Sequence, residues 1–260
     1  MEKLPMFKKL CLTSVAVMAL ASPSVNAAEA GGVKEIIDIP FSFDGPLGTY
    51  DKASLQRGLQ VYRQVCAACH SMRLVSYRNL EALGYSEDQI KSISAEYTMI
   101  DGPNDEGEMF ERPGRPSDRF KSPFLNEKAA ASANGGALPP DLSLITKARH
   151  GGADYIYSLL TGYADPPAGK EVPEGKHYNK AMDGNVIAMA APLSEGAITY
   201  EDGTPQTVEQ YSKDVSHFLT WAAEPEMEHR KQMGVKVVLF LLAFAGIMYA
   251  VKRQIWKNIH

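Results

Sequence analysis

Two thiols and an imidazole, in Cys66-Ala67-Ala68-Cys69-His70, are the residues of this chain whose types and spacing carry recognisable chemistry. C-x-x-C-H is the attachment signature of a c-type haem. Thiols three residues apart sit on one turn of a helix, from which both reach the vinyl groups of one porphyrin edge and form thioethers. The histidine that follows then lies under the iron as proximal ligand. Other uses of the pair fit less well. A structural zinc site takes about four Cys and His ligands, and the only other cysteine is Cys11. A redox C-x-x-C belongs in a βαβ setting, which is not visible around this one.

A soft second axial ligand has two candidates, Met182 and Met189, in the aperiodic stretch from Gly169 to Leu193. Met189 stands in the apolar run Val186 to Leu193, suited to a dry iron site. Met182 lies between Lys180 and Asp183, a wetter neighbourhood. A lone Met also serves as a filler of core gaps, so the residues alone leave both open. Arg149 is suited to hold a carboxylate such as a haem propionate, or is an ordinary surface arginine. Pro139 and Pro140, flanked by apolar residues in Ala137 to Ser143, make a rigid wall.

The elements that must position these groups are mostly helical. A helix is expected from an N-cap at Ser54, with Leu55, Leu59, Tyr62 and Cys66 on one face. Tyr62 reads as core. A second short helix is expected over Asn79 to Ser94, a third over Leu142 to Arg149, and a fourth, capped by Asp154, over Tyr155 to Thr161. Thr207 caps another that runs to Ala223, with Tyr211, Val215, Phe218 and Ala222 as its buried stripe. Between them, Glu96 to Glu111 holds six acids and no Lys or Arg, broken by Gly102, Pro103 and Gly107. It reads as a solvated loop, or as a docking patch for a basic partner, since such charge steers encounter.

Both ends address a membrane. Residues 1–27 have the form of a secretory signal: Lys3, Lys8 and Lys9, an apolar stretch from Leu10 to Ala21, then Val25-Asn26-Ala27. Its removal would take away Cys11 and change the net charge from −4 to −6. That mild acidity argues against nucleic acid, which calls for a basic patch. From Met233 to Val251 only Lys236 is charged. Nineteen residues at about 1.5 Å each span roughly 28 Å, near the hydrocarbon thickness. The expected organisation is a signal over 1–27, a periplasmic haem c domain over 28–228, an anchor over 229–253 and a cytoplasmic tail over 254–260. The fold class is mainly α, a c-type cytochrome domain with loop insertions plus one C-terminal transmembrane helix.

The chain closely resembles the cytochrome c1 family in its bacterial form. The resemblance is carried by Val61 to Met72, Asp101-Gly102-Pro103-Asn104, Gly107 to Phe110, Gly136 to Ser143, Arg149-His150-Gly151-Gly152, Ser158 to Tyr163 and Trp221 to Glu226. It implies one covalently attached haem c on Cys66 and Cys69, with His70 proximal and Met189 as sixth ligand. It places Asn134, Arg149 and Tyr155 at the haem and its propionates. Ala191 stands where many relatives have the first of two prolines, and the disulfide that some bacterial relatives carry near the sixth ligand has no cysteine here.

The resemblance also implies a subunit of the cytochrome bc1 complex in a bacterial inner membrane, with cytochrome b and a Rieske iron–sulfur protein as partners. Electrons would pass from the Rieske protein through the haem to a soluble or membrane-anchored cytochrome c. His/Met ligation raises the potential. No catalytic acid, base or nucleophile is expected. An anchored c-type carrier of another respiratory complex, or a haem peroxidase, are the competing classes; a single C-x-x-C-H speaks against the peroxidase.

Overall fold

The computed structural model describes residues 34–258; the expected signal lies outside them. Six helices and two two-stranded hairpins make up its regular structure. Helix α1 spans Lys52–Gln64 and α5 spans Val208–Ala223. The expected stripes are the buried ones: Leu55, Leu59 and Tyr62 on α1, and Tyr211, Val215, Phe218 and Ala222 on α5. Thr207 caps α5, accepting from the Gln210 amide. The cap of α1 is Asp51 rather than Ser54. The Asp51 carboxylate accepts from the Ser54 amide at 2.9 Å and also takes the Ser54 hydroxyl at 2.6 Å. A carboxylate at the positive end of the helix out-competes a hydroxyl one turn further in.

The two helices meet at Gly58. A Cβ there would lie 2.1 Å from the Asp214 carbonyl oxygen and 2.6 Å from the Phe218 Cβ. At this contact Arg57 clamps the fully buried Asp214 carboxylate with Nε at 2.9 Å and Nη2 at 3.0 Å. Burying that charge is tolerable only because it is paired in this fork and also accepts from Gln210 at 3.0 Å.

Four expected elements differ, and one further helix was not expected. Residues 79–94 do not form one helix: a 3₁₀ stretch, Tyr77–Leu83, ends at left-handed Gly84, and α2, Glu87–Ala95, starts afresh behind a Ser86–Gln89 capping box. Residues 142–149 are a chain of turns, with amides reaching back to Leu142, Leu144 and Ile145. The fourth helix, α4, begins earlier, as Gly152–Thr161. Asp154 lies inside its first turn and accepts the Ile39 amide at 3.2 Å instead of capping. The polar stretch after Pro113 contains a helix, α3 (Glu127–Ala133), capped by Asn126. The acidic stretch is partly a hairpin of β1 (Thr98–Asp101) and β2 (Phe110–Pro113).

Helix α6, Met227–Trp256, is one uninterrupted run of 30 residues, with a mean hydropathy of 2.2 over its most apolar window. Every residue from Gln232 to Asn258 is exposed to the chain's surroundings. Such a helix is long and apolar enough to cross a bilayer. Its first turn belongs to the folded domain. Met227 is buried, Glu228 accepts the Tyr50 amide at 2.7 Å, and Lys231 donates to the Gly48 carbonyl at 3.1 Å. The staples therefore reach three residues past the boundary expected at 228. A chain ending at Gln232 should be soluble and carry haem, whereas one ending at Glu226 should lose thermal stability. Equal melting of the two haem-loaded chains would show that the first turn of α6 contributes nothing.

Candidate functional site

The Cys66–Ala68 segment is a single 3₁₀ turn continuing from α1. It closes through the Cys66 carbonyl, which accepts the amides of Cys69 at 3.1 Å and His70 at 2.9 Å. Cys66 is half-buried and Cys69 exposed, and neither is in a disulfide. Burial pushes the Cys66 thiol up to about 12. The two thiols and His70 do not gather with other His, Cys, Asp or Glu into a ligand cluster among the described residues. They follow one turn instead of surrounding one point, as thioether attachment requires.

His70 Nδ1 lies 2.8 Å from the Pro140 carbonyl oxygen. A carbonyl can only accept, so Nδ1 carries the proton and Nε2 keeps its lone pair for a metal. Burial holds the ring below its ordinary pKa, which favours this neutral form. The donor set therefore fits a haem c: two free thiols on one turn and an imidazole fixed in the ligating tautomer. The proline wall acts through its carbonyl, and Asp141 holds it in place. The Asp141 carboxylate accepts from Ser71 Oγ at 2.8 Å, the Arg73 amide at 2.9 Å and the Ser143 amide at 2.9 Å. Burial raises its pKa, but hydrogen bonds from Ser143, Arg73 and Ser71 outweigh that and keep it below the usual value. The Leu142 amide donates to the Ser71 carbonyl at 2.8 Å, closing the staple. Tyr62, buried as expected, adds a hydroxyl bond to the His70 carbonyl at 3.3 Å.

Both candidate methionines are half-buried, so exposure does not separate them. Met189 follows a hairpin of β3 (His177–Tyr178) and β4 (Val186–Ile187), and its carbonyl accepts from the Tyr163 hydroxyl at 3.0 Å. Met182 has its sulfur 3.7 Å from the Tyr155 hydroxyl. Tyr155, buried on α4, also has Lys34 Nζ 4.4 Å from its ring centre. Asn134 ends α3 and donates to the Ala130 carbonyl at 2.7 Å. Arg149 is exposed and donates to the Ala148 carbonyl at 3.0 Å. No hydrogen bond joins Asn134, Arg149 and Tyr155 among the described residues. Arg149 does share a cleft of about 520 Å³ with Pro140, Leu74, Leu144 and Ile145, so it lies near the carbonyl that anchors His70. A larger cleft of about 720 Å³ lies along α1, away from this chemistry. Its arginines, Arg57 and Arg63, are already paired with Asp202, Asp214 and Glu96.

A family model described as the Cytochrome C1 family matches residues 41–259. The chain belongs to the cytochrome c1 family. Cytochrome c1 1, heme protein, mitochondrial, of Arabidopsis thaliana is 53% identical over 250 residues, covering 95% of this chain and 81% of that protein. Cytochrome c1 of Rhodospirillum rubrum is 48% identical over 258 residues, 93% of this chain and 94% of that one. A Bradyrhizobium diazoefficiens protein named cytochrome b/c1 is 45% identical over 279 residues, covering 97% of this chain and 41% of its own length. The mainly helical cytochrome fold and the apolar C-terminal helix are those of a cytochrome c1.

Within this cytochrome c1 fold, the reading of the residues missed the groups that position rather than touch. Asp141 gave one signal, an Asx-type acceptor two residues before Ser143 and next to the prolines. Asn179 gave the same kind of signal, accepting the amides of Ala181 and Met182, whereas Tyr163 and Asn185 gave none, because their partners lie 5 to 26 residues away in sequence.

Proposed function

We propose that this chain is the haem c subunit of a cytochrome bc1 complex, accepting electrons from a Rieske iron–sulfur protein and passing them to a cytochrome c. The observation that carries the reading is the 2.8 Å contact of His70 Nδ1 with Pro140 inside a C-x-x-C-H turn of a cytochrome c1 fold. Cys66 and Cys69 hold the group covalently, His70 and Met189 ligate its iron, and Asn134, Arg149 and Tyr155 line its edge. Bound there, haem c supplies a one-electron couple. The protein's part is positional: Pro140 sets the His70 tautomer, Asp141 rigidifies the wall, and Tyr163 tethers the Met189 backbone. The chain is thus a carrier within an oxidoreductase, with no active site of its own.

The name cytochrome b/c1 on a relative more than twice this chain's length supports cytochrome b as a partner. α6 is the anchor, with the haem domain on the periplasmic side and the C-terminus in the cytoplasm, as an exported N-terminus requires. The test is a redox difference spectrum of membranes with quinol as reductant. A c-type signal that appears with quinol and is lost when the Rieske protein is removed supports the reading; quinol reduction that persists without the Rieske protein overturns it.

The acidic stretch is the proposed docking face for a basic cytochrome c. Glu96 is paired with Arg63 and Asp101 with Arg112. Asp105, Glu106, Glu108 and Glu111 are exposed and have no ion-pair partner among the described residues. Asn104 organises their turn by accepting the amides of Glu106 at 3.1 Å and Glu108 at 2.8 Å. Neutralising Asp105, Glu106 and Glu108 together should slow cytochrome c reduction about tenfold at low salt and flatten its ionic-strength dependence. Unchanged low-salt rates in the triple variant would point to an acidic or membrane-bound acceptor.

A further inference from the structure

Asn185 is the only non-glycine residue with positive φ among the described residues, at +59°. It follows Gly184, also left-handed at +73°, and begins the path into β4 and Met189. An ordinary turn would need only glycine at such a position. Here the side chain is buried, 4% exposed, and fully engaged. Its Nδ2 donates to the carbonyls of Asn179 at 3.3 Å and Lys180 at 3.2 Å, and its Oδ1 accepts from Lys170 Nζ at 2.9 Å. Lys170 also donates to the Gly184 carbonyl at 3.0 Å, fixing both left-handed residues at once.

The same network is moored to α4. Asn179, with no exposed surface, donates to the Leu159 carbonyl at 2.7 Å and accepts the amides of Ala181 and Met182. Gly162 ends that helix where an added Cβ would lie 3.2 Å from the Asn179 side-chain oxygen. Backbone held in a sparsely populated region by surrounding bonds points to a site whose geometry is enforced. Four residues after Asn185, just past β4, stands Met189.

We propose that Asn185 is a positioning residue for Met189, acting with Lys170 to fix the backbone course from which the thioether is presented. The proposal rests on Met189 as sixth ligand. In a chain without cysteines in this stretch, the two residues hold the loop by hydrogen bonds alone. Loss of a bond to a buried group is worth a factor of about ten in such an equilibrium. Asn185→Ala removes both the side-chain bonds and the tolerance for positive φ; Asn185→Gly removes only the bonds; Lys170→Met removes one bond to Asn185 and one to Gly184.

The test uses the full chain in its membrane complex, with covalent haem content matched. The readouts are the sulfur-to-iron charge-transfer band of the ferric haem, the midpoint potential, and imidazole capture by the ferric haem. Asn185→Ala should weaken the band, lower the potential and raise imidazole affinity about tenfold or more, with Asn185→Gly intermediate. A purely structural role would lower the melting temperature and leave these three unchanged, and that result overturns the proposal. If Asn185→Ala does not accumulate, Lys170→Met decides: an unaltered band and potential there overturn it equally. Met189→Leu in parallel separates the premises. A band retained without Met189 removes the ligand assignment itself; a band lost there but intact in the Asn185 and Lys170 variants removes only the positioning role.

Discussion

Met189→Leu should leave a folded, haem-bearing chain that quinol no longer reduces. Leucine keeps the volume of the thioether, and volume-conserving swaps of this kind cost little stability. It removes the soft donor that favours ferrous iron. The potential should fall by on the order of 100 mV or more, within the roughly 0.8 V span that axial ligands set. The histidines are the alternatives. His217 is buried among Phe41, Phe43 and Tyr50, and its Nε2 accepts the Asp51 amide at 3.3 Å. Burial lowers it to about 4, so it is a neutral packing residue already engaged. His150 is exposed in the turn before α4. His177 is the closer rival: it pairs across the hairpin with Ile187, two residues from Met189. His177→Gln and Met182→Leu should therefore be made beside Met189→Leu, and both should keep potential and reduction near the parent's. A Met189→Leu protein of unchanged potential, with either of the others depressed, reassigns the ligand.

What could be read from the residues divides along the range of the interactions. The C-x-x-C-H turn, the stripes of α1 and α5 and the terminal apolar helix depend on spacings of three, four and about twenty residues, which a sequence displays directly. The elements that differed were decided by competition between possible partners, near and far in sequence. Asp51 and Ser54 are both good caps, and only the folded turn shows the carboxylate taking the hydroxyl as well. Asp154 had the residue type of a cap but is bound to Ile39, 115 residues away. The Pro139-Pro140 wall was legible as stiffness. Its use as the acceptor for His70 was not, because that depends on Asp141 bonding across 70 residues to Ser71. The two methionines show the same limit: local polarity favoured Met189, while Met182 turned out to be half-buried against Tyr155.

Gly58→Ala should strongly destabilise the folded domain. The added Cβ would stand 2.1 Å from the Asp214 carbonyl oxygen and 2.8 Å from its carbonyl carbon. These are backbone atoms in the middle of α5, so no rotamer can yield, and the helices must part. Overpacking of this kind costs about 1–3 kcal/mol or more. Parting the helices also draws Arg57 away from Asp214, whose side chain has no exposed surface. Breaking a buried pair costs about 3–5 kcal/mol when the charge is left uncompensated. Together these reach about 4 kcal/mol at the least, against a typical total of roughly 5–15 kcal/mol. At roughly 2–4 °C per kcal/mol for a domain of this size, the haem domain should melt about 10 °C lower or fail to accumulate. Gly234→Ala is the control, because nothing among the described residues lies within 4 Å of a Cβ there, and its haem domain should melt with the parent. The Gly58 contact is disproved as the point where α1 and α5 lock if both variants melt together.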